Sequence, residues 1–232
     1  RRLMVKRMNP GLFTVMQNKE VAGRRRMVIG EPCTVPSGSM EPTLLCGDRL
    51  WINKLAYGGR FPSRWADIPL LNVFTWIRPL RLADEENHWE YRRLPGYSEP
   101  KQGDIAVFNS PADPQLLLVK RITRVVKKGE PLRIDRRTLL LYRSLILRDG
   151  GKVMEKDGKI YIDGKSSSQY IPKQRFYYME GDNRMNSHDS RSFGFISEEA
   201  IIGKFDFVLF SIDSQKQWWK AIRLRRMMMR FP

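Results

Sequence analysis

Leu116-Leu117-Leu118-Val119-Lys120-Arg121-Ile122 is an apolar run with a lysine in its interior, and it constrains the fold more than any other stretch of the chain. It reads as a strand buried in a sheet. Period-two alternation puts Leu116, Leu118, Lys120 and Ile122 on one face and Leu117, Val119 and Arg121 on the other. Lys120 therefore shares its face with aliphatic side chains. Burial disfavours the ammonium form, and moving a lysine from about 10.4 to near neutrality takes roughly 4 to 5 kcal/mol. Taken alone, Lys120 reads as a strand-end lysine whose amine snorkels to water. Only its combination with other segments changes that.

Further short β-rich runs, separated by turn residues, cover residues 48–54, 104–109, 116–126, 159–163 and 205–212. Asp157-Gly158 and Asp163-Gly164 bracket one of them and signal hairpins. The fold class is mainly β. Residues 57–100, rich in Trp, Pro, Arg and Gly, read as an irregular excursion. Residues 125–173 read as a smaller β insertion domain that includes a strand-like run from Leu132 to Leu147. The main β domain is then 31–124 with 174–214, flanked by a basic segment, 1–30, and a basic, tryptophan-containing tail, 215–232.

At 232 residues the chain can bury an ordinary core. Its net charge of +17 raises nucleic acid or an anionic membrane as partner, so the location of the charge matters. Residues 1–30 carry +7 and residues 215–232 carry +6, which leaves the body near balance. That distribution argues against a basic groove and favours flanks that touch a membrane surface. Gln217-Trp218-Trp219-Lys220 and the cations after it have the composition of an interfacial segment, and equally of a basic helix that docks on the domain through its tryptophans. No stretch approaches the ~18 to 20 apolar residues that span a bilayer. Because the chain begins at Arg1, it is expected to be a fragment that lacks its anchor. Cys33 and Cys46 could pair, but two reduced, packed thiols are expected.

The partner for Lys120 is sought in Pro36-Ser37-Gly38-Ser39-Met40-Glu41-Pro42-Thr43-Leu44, a tight corner with no histidine nearby. A serine hydroxyl attacks only when a base removes its proton, and a buried lysine can be that base. Two more segments join the pattern: Gln102-Gly103-Asp104-Ile105-Ala106-Val107-Phe108 and Gly181-Asp182-Asn183-Arg184-Met185-Asn186-Ser187-His188-Asp189-Ser190-Arg191. With these the chain resembles the type I signal peptidases, membrane-bound Ser/Lys endopeptidases that remove signal peptides from exported proteins. Four blocks match in the family's order, residues 35–58, 102–111, 119–122 and 181–203, about a quarter of the chain.

The resemblance implies coiled antiparallel sheets of the type found in signal peptidases and SOS-repressor peptidases. It implies Ser39 as nucleophile, Lys120 as general base, and an oxyanion hole made by the Ser37 hydroxyl and the Ser39 backbone N–H. Ser187 would orient the lysine amine, while Asp189 with Arg191 and Asp182 with Arg121 would form supporting ion pairs. The substrate would bind as an added strand, with small residues of an Ala-x-Ala site in pockets lined by Cys33, Val35, Pro36, Met40, Leu44, Leu118 and Val119. Individually each of these residues reads as ordinary core. His188 invites a Ser-His-Asp reading that alternation rejects, since it turns away from the face of Ser187 and Asp189, and His88 shows no partner.

Three departures stand out. Lys120-Arg121 is followed by Ile122-Thr123-Arg124-Val125-Val126 instead of a glycine-rich turn, so that turn is expected to be altered and longer. Met185 stands where an aspartate is common, and a basic segment precedes Glu31-Pro32 where a transmembrane helix usually ends. No cofactor or metal is implied. The expected partners are signal peptides of exported preproteins and an anionic membrane surface, without nucleic acid, for a monomeric catalytic domain on the outer or periplasmic face of the cytoplasmic membrane. The alternatives are a specialised pilin or conjugation-subunit peptidase and a non-catalytic membrane-surface or nucleic-acid-binding relative. A self-cleaving repressor ranks last, for want of a helix-turn-helix pattern.

Overall fold

Ile105-Ala106-Val107-Phe108 has no polar position to turn to water, and such a strand must be covered on both faces. The computed structural model describes residues 29–59, 93–114, 116–156, 158–213, 215–217 and 221–231. In chain order its first elements are β1 (Gly30–Thr34), β2 (Asp48–Asn53), β3 (Ile105–Asn109), β4 (Leu117–Val126), β5 (Leu132–Arg133) and helix α1 (Arg136–Arg148). They are followed by β6 (Val153–Lys156), β7 (Lys159–Ile162), β8 (Lys165–Ser166), β9 (Gln169–Tyr170), β10 (Phe176–Glu180), α2 (Ser190–Phe193), β11 (Ile196–Ser197) and β12 (Ile201–Ser211). Seven strands form one antiparallel sheet in the order β1-β2-β12-β3-β4-β10-β11, which makes β3 the central strand.

Alternation divides β3 between two cores. Ile105 and Val107 join Val35, Leu50, Ile52 and Phe205 on one side, and Ala106 and Phe108 join Tyr57, Ile122, Tyr177 and Met179 on the other. β4 follows the same rule, with Leu117 and Val119 on the first side and Leu118 and Ile122 on the second. Register shifts along β12 at 205–207 and 208–210 bend the long strand, as bulges do. The result is a mainly β protein built on a curled antiparallel sheet. Among the described residues no helix is long and apolar enough to cross a membrane.

The run from Leu132 to Leu147 is the main correction. Only Leu132–Arg133 is strand, and Arg136–Arg148 is a helix. The cause is local. The Asp135 carboxylate accepts from the Arg137 and Thr138 N–H groups, and the Thr138 hydroxyl accepts from the Asp135 N–H, a complete capping box. Leu139, Leu145 and Ile146 then fall on one buried face at helical spacing. The Asp163-Gly164 hairpin does form: both residues have positive φ, 51° and 78°, as a two-residue turn between β7 and β8 needs. The altered turn after Lys120 is not there at all, since β4 runs on to Val126 and the chain turns at 127–130.

The core of 125–173 is continuous with the sheet. Leu132, Ile134, Leu145, Ile146 and Ile162 pack with Val126, Phe176 and Phe195. Phe195 is the joint: it stacks on Tyr142 of α1 at 5.6 Å and meets Tyr178 of β10 edge-on at 5.1 Å. Cys33 and Cys46 are both free thiols, and Cys46 is exposed where packing was expected. Residues 1–28, most of the 57–100 excursion including His88, and Trp218 and Trp219 lie outside the described residues. Phe195→Ala is expected to cost about 3–5 kcal/mol and to lower one cooperative melting transition. Calorimetry showing a separate transition for residues 125–173 would contradict this continuity.

Candidate active site

The Ser39 corner is set by what flanks it. Met40 and Leu44 are wholly buried in the core formed by Val35, Leu50, Ile52 and Val119, and they pull the intervening chain down onto the sheet. Between β1 and this anchor the backbone makes one 3-10 turn, Gly38–Met40. Ser39 sits in its first turn, where backbone N–H groups have no acceptor within the helix. Lys120 lies opposite Ala106 in the β3–β4 register, and that small neighbour leaves room for a long side chain on a buried face.

The Lys120 Nζ is 2.6 Å from the Ser39 Oγ, in hydrogen-bond contact. Both residues are buried, Lys120 being only 3% exposed. Burial lowers the lysine pKa to about 8, against the opposing pull of the Asp189 and Asp182 charges. The Ser37 hydroxyl donates to Ser39 Oγ across 3.4 Å, a long contact, and Ser37 is exposed.

Both expected arginine–carboxylate pairs are present. Arg121 grips Asp182 with Nε and Nη2, each at 2.9 Å, and its Nη1 donates to the Gly103 carbonyl. Burial opposes the Asp182 charge, but the hydrogen bonds from Arg121, helped by the nearby Thr43 side chain, outweigh it and hold the carboxyl below its usual range. Asp189 is fully buried, and burial again works against its charge. The fork from Arg191, at 2.9 and 2.8 Å, and the Gly181 N–H at 3.0 Å more than compensate and keep it well below the carboxylate range.

Ser187 differs from expectation. Its buried hydroxyl makes no hydrogen bond to Lys120; it lies near enough to Asp189 to favour that charge but outside hydrogen-bonding geometry. His188 is exposed and stands edge-on to Phe193 at 5.5 Å, pointing away from the buried Asp189. Met185 is 97% exposed on the turn Arg184–Asn186. Of the expected pocket residues, Val35, Met40, Leu44 and Val119 share one core with Cys33 packed against it, whereas Leu118 faces the opposite core and Pro36 is exposed. Burial, with a smaller push from Glu31, raises the Cys33 thiol to about 11, so it behaves as an apolar wall.

Two residues with no role assigned from the sequence hold the corner. Asn183 donates its backbone N–H to the Ser39 carbonyl at 3.1 Å and its Nδ2 to the Gly38 carbonyl at 3.0 Å. A Cβ on Gly181 would lie 2.4 Å from the Ser39 carbonyl oxygen and 2.2 Å from the Ser187 Oγ, so only glycine lets the two segments meet. The Gly-Asp-Asn run is visible in the sequence, but its partner is 145 residues away.

The chain is 28% identical over 237 residues to signal peptidase I of Buchnera aphidicola, covering 87% of this chain and 75% of that one. It is 27% identical over 226 residues to signal peptidase I of Rickettsia typhi, covering 84% and 76%, and 29% identical over 209 residues to that of Pseudomonas aeruginosa, covering 77% and 64%. A solved signal peptidase I from Enterococcus faecalis aligns with 46% of this chain and 97% of its own at 23% identity, with a TM-score of 0.24, too low to carry an argument. The family model described as signal peptidase, peptidase S26, matches residues 14–210, and the chain belongs to that family.

Proposed function

We propose that this serine endopeptidase cleaves signal peptides from exported preproteins with a Ser39–Lys120 dyad. The observation that carries the reading is the 2.6 Å contact between a buried lysine amine and a serine hydroxyl. A neutral amine at that distance accepts the Ser39 proton as Oγ attacks the scissile carbonyl carbon. The oxyanion that forms is met by the Ser39 N–H and by the Ser37 hydroxyl, which turns from Ser39 Oγ to the new charge. The Lys120 ammonium then protonates the leaving amine, and the same lysine activates the water that hydrolyses the acyl-enzyme.

The substrate is an extended peptide added at β1, which pairs only with β2 among the described strands. Shallow walls led by Cys33 and Val119, over a floor of Val35, Met40 and Leu44, select small residues on either side of x in Ala-x-Ala. On this reading Leu118, on the opposite core, drops out of the pocket.

Because the base must be neutral, kcat/KM on a preprotein substrate is expected to rise tenfold per pH unit below about 8 and to level off above it. Ser39→Ala and Lys120→Met are each expected to lower kcat by about a thousandfold or more. Full activity in both would sink the dyad. The stability sign follows from the same shift. The folded-state pKa, about 8, lies below the ordinary 10.5, so wild-type stability rises as the pH climbs through that window. Lys120→Met should accordingly melt no lower than wild type at pH 7, and lose any advantage by about pH 10.5. Asn183→Ala, which leaves the Gly38 carbonyl only the Glu41 N–H, is expected to lower kcat about ten- to a hundredfold with KM nearly unchanged. Unchanged kcat would show that the Met40 and Leu44 anchors suffice.

A further inference from the structure

Arg223 and Arg226 lie beyond residue 210, where the match to the family ends, and both turn inward. Arg226 grips Asp48 with Nε at 3.1 Å and Nη2 at 2.6 Å, and the same Nη2 donates to the Thr43 carbonyl at 2.8 Å. Asp48 is fully buried and also accepts from the Leu45 N–H and the Ser211 hydroxyl. Arg223 donates through Nη1 to the Cys46 carbonyl at 3.0 Å and pairs through Nη2 with Asp213 at 3.2 Å. Two carbonyls of the loop 41–47, which returns the chain from Ser39 to β2, are thus held by the last residues described.

The tail is itself fastened. Met228 N–H donates to the Val208 carbonyl and Val208 N–H to the Met229 carbonyl, at 2.7 and 3.0 Å. Phe231 stacks on Phe205, with the Arg226 guanidinium 5.5 Å from its ring centre, and packs against the core that anchors Met40 and Leu44. Thr43 lies between the two sides of the site: its carbonyl is held by Arg226, and its side chain is near enough to Asp182, the partner of Arg121 beside Lys120, to favour that carboxylate's charge.

We infer that residues 223–231 are a strap that sets the nucleophile turn, with Arg226 as its positioning residue. This rests on Ser39 being the nucleophile. A charge on Asp48 could be met by any cation, but reaching both Asp48 oxygens and the Thr43 carbonyl needs a planar fork that a lysine lacks. The strap therefore carries more than fold stability. It also takes two of the tail's cations out of any outward-facing surface.

The test uses the full chain and measures kcat, KM and Tm on a preprotein substrate, with active sites titrated by a serine-acylating probe. Arg226→Lys keeps a charge beside Asp48; it is expected to fold, to leave KM within about twofold, and to lower kcat per titrated site about tenfold. Phe231→Leu loosens the strap without touching the buried carboxylate and is expected to lower kcat several-fold with the same split. Arg225→Ala, an exposed neighbour, is the unchanged control. Wild-type kcat per site in the variants that fold, or losses that only follow the fraction folded, would overturn the strap. If Arg226→Lys does not fold, Phe231→Leu decides. Ser39→Ala separates the premises: full activity there would remove the nucleophile reading whatever the arginine variants do.

Discussion

A lysine amine taken out of water stays protonated if a carboxylate meets it, and the proposed Ser39–Lys120 dyad depends on preventing that contact. Lys120 has two carboxylates in its neighbourhood, Asp182 and Asp189, whose charges both pull its pKa upward. Each is instead occupied by an arginine fork, Arg121 on Asp182 and Arg191 on Asp189. Bidentate pairs satisfy the oxygens that would otherwise bind the ammonium. What remains to Lys120 is the Ser39 hydroxyl at 2.6 Å, and desolvation decides its pKa. The ion pairs are therefore part of the chemistry in an indirect sense, since they keep the base unpaired.

The same logic explains why the segments of the proposed dyad are distributed along the chain. Lys120 must sit on a strand covered on both faces, because an edge strand would leave its amine wet. β4 supplies that setting between β3 and β10. Ser39 must instead be on a turn, where a first-turn N–H is free to meet an oxyanion. A strand and a turn 81 residues apart are brought together where Met40 and Leu44 anchor the turn in the core that Val119 shares.

Much of this was legible in residues 102–126. The uninterrupted apolar run of β3 announces a doubly covered strand, and alternation along β4 assigns Lys120 its buried face. The helix Arg136–Arg148 was not legible as such, because Leu139-Leu140-Leu141-Tyr142 satisfies strand and helix patterns alike, and only the Asp135–Thr138 capping box decides between them. The role of Ser187 came with the family resemblance, and its hydroxyl rests elsewhere. Asn183, Thr43 and Arg226 show a different limit. Their contacts join segments 145 and 183 residues apart through backbone carbonyls, which every residue type carries, so no side-chain pattern marks the acceptor.

Core packing and carbonyl bonding do different work on the Ser39 turn. Apolar contacts from Met40 and Leu44 are non-directional and fix where the turn sits without fixing its rotation. Hydrogen bonds to the carbonyls of Gly38, Ser39 and Thr43 are directional, and they arrive from two sides, Asn183 and Arg226. Rotation matters more than position here. A small roll of the turn would keep Ser39 buried and near Lys120 while turning its N–H away from where the proposed mechanism places the oxyanion, a position at which a preorganised donor counts heavily. Donors aimed at the backbone of the turn therefore protect a vector that hydrophobic burial alone leaves loose.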